Sequence, residues 1–422
     1  MPDSSSERAA LKRAAMKRNV VLGASLLFML IGTGSVYFLV VALKLISAEF
    51  DWPRAVPSLA YSLQYFGAGI GGVFMGYWLD RTGMTMPAVT GAVMIGIGAM
   101  LTSIVTNEWE LYFIYGVLMG FLGRSALFSP LMANITRWFE HNKSMAAGML
   151  GSGQALSGAI WPPIFQYFND TIGWRQTSFW YGVFALGTML PLVLVLRQKP
   201  PAALAALAPA APRASGPAEP GHTAPAPRAP LSPRAMQVTL SIASIGCCIA
   251  MSLPLGHVVS HVSDLGYSPA RGAEVLSIML ACAAVSSFFG VGFLGRRLGG
   301  LRAIFIFSSA QALFLATLAF VDSLTAIYII AALFGLGYGG ILPLYPVIIR
   351  EFLPASEAGR RTGIVILCAG GGMALGAWVG GYVFDLTGSY DTAFLIGAAF
   401  NVGNLAIIGS LILRTRQQAV FA

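Results

Sequence analysis

Charge is what this chain has least of. Asp, Glu, Lys and Arg make up 10% of its 422 residues, against a hydrophobic share of 56%. Soluble domains carry about 25% charged residues, so this composition cannot keep a globular surface wet and excludes a soluble protein. Cysteine and histidine are equally rare, at four each. Cys247, Cys248, Cys282 and Cys368 lie inside apolar runs without metal-ligand spacing, so they read as small packing residues and no metal or cofactor is expected. A Walker motif is missing, which excludes ATP as the direct energy source. The loops carry no Ser/His/Asp or metal constellation and are too short for a catalytic domain, so an enzyme is not expected.

Long apolar runs fill the space instead. Windows of about 19 residues give twelve segments, near 20–46, 56–79, 87–106, 110–136, 144–167, 175–196, 236–260, 270–295, 301–321, 324–350, 360–384 and 391–413. Lipid offers no partner to an open backbone and the alternation of barrel strands is absent, so all are read as helices of an all-α membrane protein. Lys12, Arg13, Lys17 and Arg18 precede the first run as in a signal peptide, but the run is too long for one and lacks a small-residue cleavage pattern. It is read as a retained first helix.

The basic residues orient the chain. With both termini cytoplasmic, 21 of the 26 Lys and Arg residues fall on cytoplasmic segments, and the opposite loops hold only Lys44, Arg54, Arg175 and Arg271. This is the positive-inside pattern, and the reading is a multi-pass protein of a bacterial cell membrane. The net charge of +9 is spread over loop ends beside lipid headgroups rather than gathered on one face, which argues against nucleic acid.

One unit is written twice. Gly76, Arg81 and Gly83 recur as Gly292, Arg297 and Gly299, 216 residues on; Pro130 and Arg137 recur as Pro343 and Arg350, 213 on. Asp170, Gly173, Thr177 and Phe179 recur as Asp385, Gly388, Thr392 and Phe394, at an offset of 215. A doubled membrane unit points to a transporter with its site between the halves. The expected organisation is a tail at 1–19, a six-helix bundle at 20–196, a linker at 197–235, a second bundle at 236–413 and a tail at 414–422. The linker holds 10 of the 23 prolines and no apolar periodicity, which suits an extended disordered segment. Glycines crowd the second, fifth and eleventh segments, as close helix packing requires.

Gly76-x-x-x-Asp80-Arg81-x-Gly83, with its degenerate copy at 292–299, resembles the cytoplasmic loop signature of the major facilitator superfamily. Glu49-Phe50-Asp51-Trp52-Pro53-Arg54 before Ser58, and Arg137-Trp138-Phe139 followed by Gly148 and Ser152-Gly153-Gln154, resemble bacterial monocarboxylate and oxalate/formate-type carriers. The resemblance implies two pseudo-symmetric six-helix bundles working by alternating access. It also implies a gating role for Gly76, Asp80, Arg81, Gly83 and Arg297, with Asp80 at the start of the eleventh helix near Thr362 holding the outward-facing state closed inside. Such carriers often place an arginine in the eighth helix, where this chain has Ser287 and Phe288.

One charge stands alone at mid-membrane. Arg124 lies 14 residues after Glu110 and 13 before Arg137, about 20 Å from either helix end. An arginine there costs at least ~2.5–3.5 kcal/mol, so it should face a watery cavity. It either receives an anionic group or is satisfied by helix carbonyls, Ser125 or Ser129. Thr33 and Tyr37, at an expected break of the first helix through Gly32-Thr33-Gly34-Ser35, with Gln154, Trp161, Tyr338 and Tyr345, are the candidate partners. His257 and His261, one turn apart after Pro254, are either a protonation pair or an interfacial pair touching water. Lys44 either snorkels or attracts anions. The function expected is secondary transport of a small organic anion, monocarboxylate-like, by a monomer. Its energy would come from a proton or anion gradient, with exchange or facilitated diffusion also open. Efflux of lipophilic drugs and a non-transporting sensor are the rivals.

Overall fold

The computed structural model describes residues 4–139, 143–198, 231–354 and 357–420. Among them there is no strand; twelve helical rods alternate in direction. They are α1 (Ser4–Phe50), α2 (Ala55–Thr82), α3 (Thr85–Thr102), α4 (108–138), α5 (Lys143–Ile172) and α6 (Trp174–Leu196), then α7 (Pro233–Asp264), α8 (269–298), α9 (Gly300–Leu318), α10 (324–352), α11 (Ala358–Thr387) and α12 (Asp391–Val420). Nine described helices are each long and apolar enough to cross a membrane. The first and last described residues share one end of the bundle with the Arg-rich loops. That end is called the basic end, and the other the far end.

Helices run past the bounds expected for both tails and the linker, and the expected break of α1 is corrected. The segment expected as a tail is helical from Ser4, and α12 likewise runs on to Val420. Ala, Leu, Lys, Arg and Gln propagate a helix well beyond lipid. α7 starts at Pro233, inside the segment assigned to the linker; Ser232 caps it by accepting from the Ala235 amide. Most of that linker, 199–230, lies outside the described residues. Nor does α1 break at Gly32-Thr33-Gly34-Ser35: it is continuous. The glycines there are seats for neighbouring side chains. A Cβ on Gly34 would lie 2.9 Å from the Trp161 ring and from the Tyr181 hydroxyl. The carbonyls one turn earlier accept extra bonds, Leu30 from Ser157 (2.8 Å) and Trp161 Nε1 (2.9 Å), Ile31 from Tyr181 (2.6 Å).

Within the first six rods α1 packs on α5, α2 on α4 and α3 on α6; within the last six α7 packs on α11 and α12, and α8 and α9 on α10. The two sets meet mainly through α2 with α11 and α5 with α8. Both junctions are tightest toward the far end and loosen along the helices toward the basic end, where Leu367 of α11 still reaches Gly69 of α2. Gly158 on α5 has room for no Cβ, which would sit 2.5 Å from Tyr37 and closer still to Leu280 of α8. Gly151, seven residues along the same helical face, meets nothing within 4 Å. On α11, a Cβ at Gly381 would press on the Arg54 carbonyl at 2.8 Å, whereas Gly370, three turns away on the same face, meets nothing.

Candidate functional site

The α4 rod is not uniform. Its middle stretch, Ile114–Arg124, has the wider turns of a π-helix, and α-helical winding resumes at Ser125. Such stretches are unusual and frequently mark functional sites. Gly120 and its neighbours let this stretch touch the backbone of α2: a Cβ on Gly120 would lie 2.9 Å from the Gln64 carbonyl. The close approach sets the Arg124 guanidinium over the ring of Tyr65, 4.1 Å from its centroid. Arg124 Nη1 is buried without a hydrogen-bond partner. None of the ion pairs among the described residues joins Arg124 to a carboxylate.

Tyrosines surround it. The Tyr61 hydroxyl donates to that of Tyr65 at 3.4 Å, their rings 5.0 Å apart. Tyr37 and Tyr61 lie within electrostatic range of Arg124. Tyr338, from α10 in the second set, lies within range of Tyr37 and Tyr65. Gln64, fully buried beside Tyr65, donates to Ser35 at 3.1 Å and leaves Oε1 unpartnered. Tyr37, Tyr65, Arg124 and Tyr338 stand 10 to 16 positions from the far ends of their helices and share mid-depth, with Gln64 and Tyr61 closer to the far end. The chemistry offered is one cation, several neutral hydroxyls and an amide.

A second cluster closes the far end. Arg54, at the start of α2, grips both carboxylate oxygens of Asp264 on α7 (Nη2–Oδ1 2.8 Å), reaches the Tyr390 hydroxyl at 3.0 Å and lies 3.7 Å over the Phe384 ring. Burial opposes charge on Arg54, but its bonds to Asp264 and Tyr390 outweigh that and hold its pKa above the ordinary value. Lys44 adds a 2.9 Å ion pair to Asp264. Asp385 of α11 accepts from the backbone amides of Arg54 and Ala55, both at 2.8 Å, and so caps α2 from the other set. Among the described residues, the ion pairs that cross between the two sets both belong to this cluster. Beneath it runs a narrow crevice lined by Leu39, Val40, Ser58, Tyr61, His257 and Ala377.

At the basic end the repeated loop keeps its geometry. Gly83 and Gly299 both take positive φ, +75° and +78°, the left-handed backbone that favours glycine. Asp80 pairs with Arg137 of its own set at 3.4 Å, Arg81 lies over the Tyr77 ring (4.2 Å) and Arg297 over the Phe293 ring (4.3 Å). A Cβ at Gly76 would meet nothing. In the second copy Glu351 accepts from the Gly300 amide at 3.0 Å, stabilising the start of α9.

The model of the Major Facilitator Superfamily matches residues 23–327 and 240–421, together nearly the whole chain. The chain belongs to that superfamily. It is a membrane transporter, not an enzyme. It is 26% identical to monocarboxylate transporter 13 of Rattus norvegicus over 394 residues, 92% of this chain and 86% of that one. It is also 26% identical to the MFS-type transporter pynF of Aspergillus niger over 329 residues, 74% of this chain and 68% of that one. Among solved structures, a bacterial homologue of the human lysosomal transporter Spinster, crystallised inward-facing and unoccupied, superposes with a TM-score of 0.67. That match covers 95% of this chain and 97% of the other at 16% identity, and shows the fold alone.

In this superfamily member the sequence-derived candidates divide. Arg124, Tyr37 and Tyr338 come together. Gln154, half-buried, lies one turn before the Gly158 seat of Tyr37. Trp161 is tied to the Leu30 carbonyl and stacked 4.9 Å from Phe165, inside the first set. The Tyr345 hydroxyl faces Cys247 Sγ at 3.4 Å inside the second set, and Thr33 is buried beside the packing glycines of α1. His257 and His261 do not touch water as an interfacial pair would: they are 1% and 4% exposed. His257 Nε2 meets the Ala377 carbonyl at 2.7 Å under the Tyr390 ring, and His261 packs edge-on to Phe394. Sequence reading missed Tyr61 and Tyr65. Their spacing, one turn apart with Tyr65 near the depth of Arg124, was the available signal.

Proposed function

We propose that this transporter carries small organic anions, monocarboxylate-like in size and charge, by alternating access. The observation that carries the reading is Arg124: a guanidinium at mid-depth, held over an aromatic ring, with a buried nitrogen unpartnered and, among the described residues, no carboxylate paired with it. A planar fork of this kind suits a carboxylate. The monocarboxylate transporters among its relatives agree with that chemistry. With the basic end cytoplasmic, in a bacterial cell membrane, we read the arrangement as facing inward, because both junctions loosen toward that end and the ion pairs between the sets, among the described residues, lie at the other. Gln154, one turn before the Gly158 seat of Tyr37, and Tyr338 complete the proposed site. Drive comes from a proton or anion gradient, or from exchange.

The test is uptake of labelled monocarboxylates into proteoliposomes, with and without a pH gradient, competed by free acids and by their methyl esters. Acids compete and esters do not. Truncating one partner of a desolvated, hydrogen-bonded charge pair costs about 2–5 kcal/mol, so Arg124→Ala loses roughly 30-fold to several thousand-fold in apparent affinity. Full transport by Arg124→Ala, or equal competition by the esters, removes the anion reading.

A further inference from the structure

We infer that Tyr65 is the positioning residue for Arg124: its ring face holds the guanidinium at mid-depth without neutralising it. This rests on the anion reading above and assigns the residue that makes the cation usable. A buried arginine ordinarily pairs with a carboxylate. Such a partner would compete with an anionic cargo for the same nitrogens. A ring face attracts the cation through its quadrupole instead, and leaves the edge of the guanidinium open to hydrogen bonding.

The geometry fits that division of labour. The guanidinium carbon sits 4.1 Å from the Tyr65 centroid, while Nη1 is buried and bonded to nothing. The ring is itself fixed. Tyr61 braces it through the 3.4 Å hydroxyl contact and a tilted ring pair at 5.0 Å. Gln64, the residue before it, is anchored to Ser35 of α1. Tyr65 and Arg124 both belong to the first set, on α2 and α4, which pack directly against each other. The contact therefore travels with that set when the two sets move relative to one another.

The experiment replaces Tyr65 with Phe and then with mono-, di- and trifluorinated Phe, which drain the ring quadrupole while changing its shape little. Each protein is reconstituted and assayed for uptake of a labelled monocarboxylate, with Arg124→Ala run alongside. Tyr65→Phe keeps a near-native KM, because the π face survives loss of the hydroxyl. KM then climbs stepwise with fluorination, by about 2- to 30-fold in all, the span that cation–π contacts cover, while Vmax changes little. A purely packing role predicts a flat series, and a flat series overturns the inference. Tyr65→Leu in the same assay matches or exceeds the trifluorinated end of the series; a native KM there is equally fatal. If Arg124→Ala transports normally, the anion reading itself has failed, whatever the series does. If Arg124→Ala is dead and the series is flat, only the role of Tyr65 is lost.

Discussion

Replacing Asp264 with Asn should open the far end. In the wild type this carboxylate accepts from both terminal nitrogens of Arg54 and from Lys44 (2.9 Å). The Arg54 and Asp264 side chains are 13% and 25% exposed, so their pair is only partly screened, while Lys44 at 42% contributes little. A hydrogen bond to a charged group is worth about 1.5–3 kcal/mol net, and Arg54 would retain Tyr390 and the Phe384 ring. Closure should weaken by about 2 kcal/mol, which moves the balance of far-closed to far-open molecules roughly 30-fold. The sign follows from geometry, since the partners sit on different sets and can meet only while the far end is shut. Val40 lines the crevice below and is 1% exposed. In a cysteine-replaced background, a Val40→Cys reporter should react many times faster with a membrane-impermeant maleimide from the far side once Asp264→Asn is added. Arg54→Gln should accelerate it similarly, and the double variant should add little. Equal labelling rates in folded wild type and Asp264→Asn would refute the lock.

Two further substitutions test the junctions and the loop. Gly158→Val drives new methyl groups into Tyr37 and Leu280 where α5 meets α8; overpacking of this kind costs about 1–3 kcal/mol, so the melting temperature in detergent falls and uptake is lost. Gly151→Val, on the same face in open space, leaves the melt unchanged, and identical behaviour of the two contradicts the parting of the helices. Asp80→Asn removes a largely exposed pair with Arg137, worth no more than about 1 kcal/mol, so the melt barely moves. If the carboxylate instead docks at the start of α11 in the opposite conformation, cysteine labelling from the basic end rises; unchanged labelling rejects that role.

The twelve rods were legible because lipid demands long apolar helices and short connections, and the depth of Arg124 followed from counting residues between Glu110 and Arg137. Facing was not legible. In lipid the outer surface is as apolar as the core, so periodicity does not reveal which side of a helix looks inward. Tyr61 and Tyr65 therefore hid among the glycines of α2, which read as packing. The glycines of α1 were read as a weakness, yet in the fold they are the seats for Leu127, Trp161 and Tyr181. That the His pair is buried rather than interfacial was not legible either, because only tertiary packing brings Tyr390 and Phe394 over it. Arg54 and Asp264 are 210 residues apart, and nothing local in either segment announces the other.

Duplication explains the scaffold, and its exceptions locate the chemistry. At the 213-residue offset that relates Pro130 to Pro343, Arg124 corresponds to Gly337 and Tyr338 to Ser125. An arginine cannot stand at Gly337, where even a Cβ would press within 2.9 Å of the Gln311 backbone nitrogen on α9. The candidate site thus receives one cation, from the first set, and the second set answers with a neutral tyrosine. Under the proposed alternating access, that asymmetry divides the work of a cycle. Tyr37, Tyr65 and Arg124 ride on the same six helices and keep their mutual distances when the sets rock. Tyr338 rides on the other six, so under the proposed anion reading it alone of these four would change its distance to the cargo. An anchor that stays fixed and a lid residue that approaches it are what a carrier needs to sense its cargo. The repeat could supply both only by letting its two copies differ at these positions.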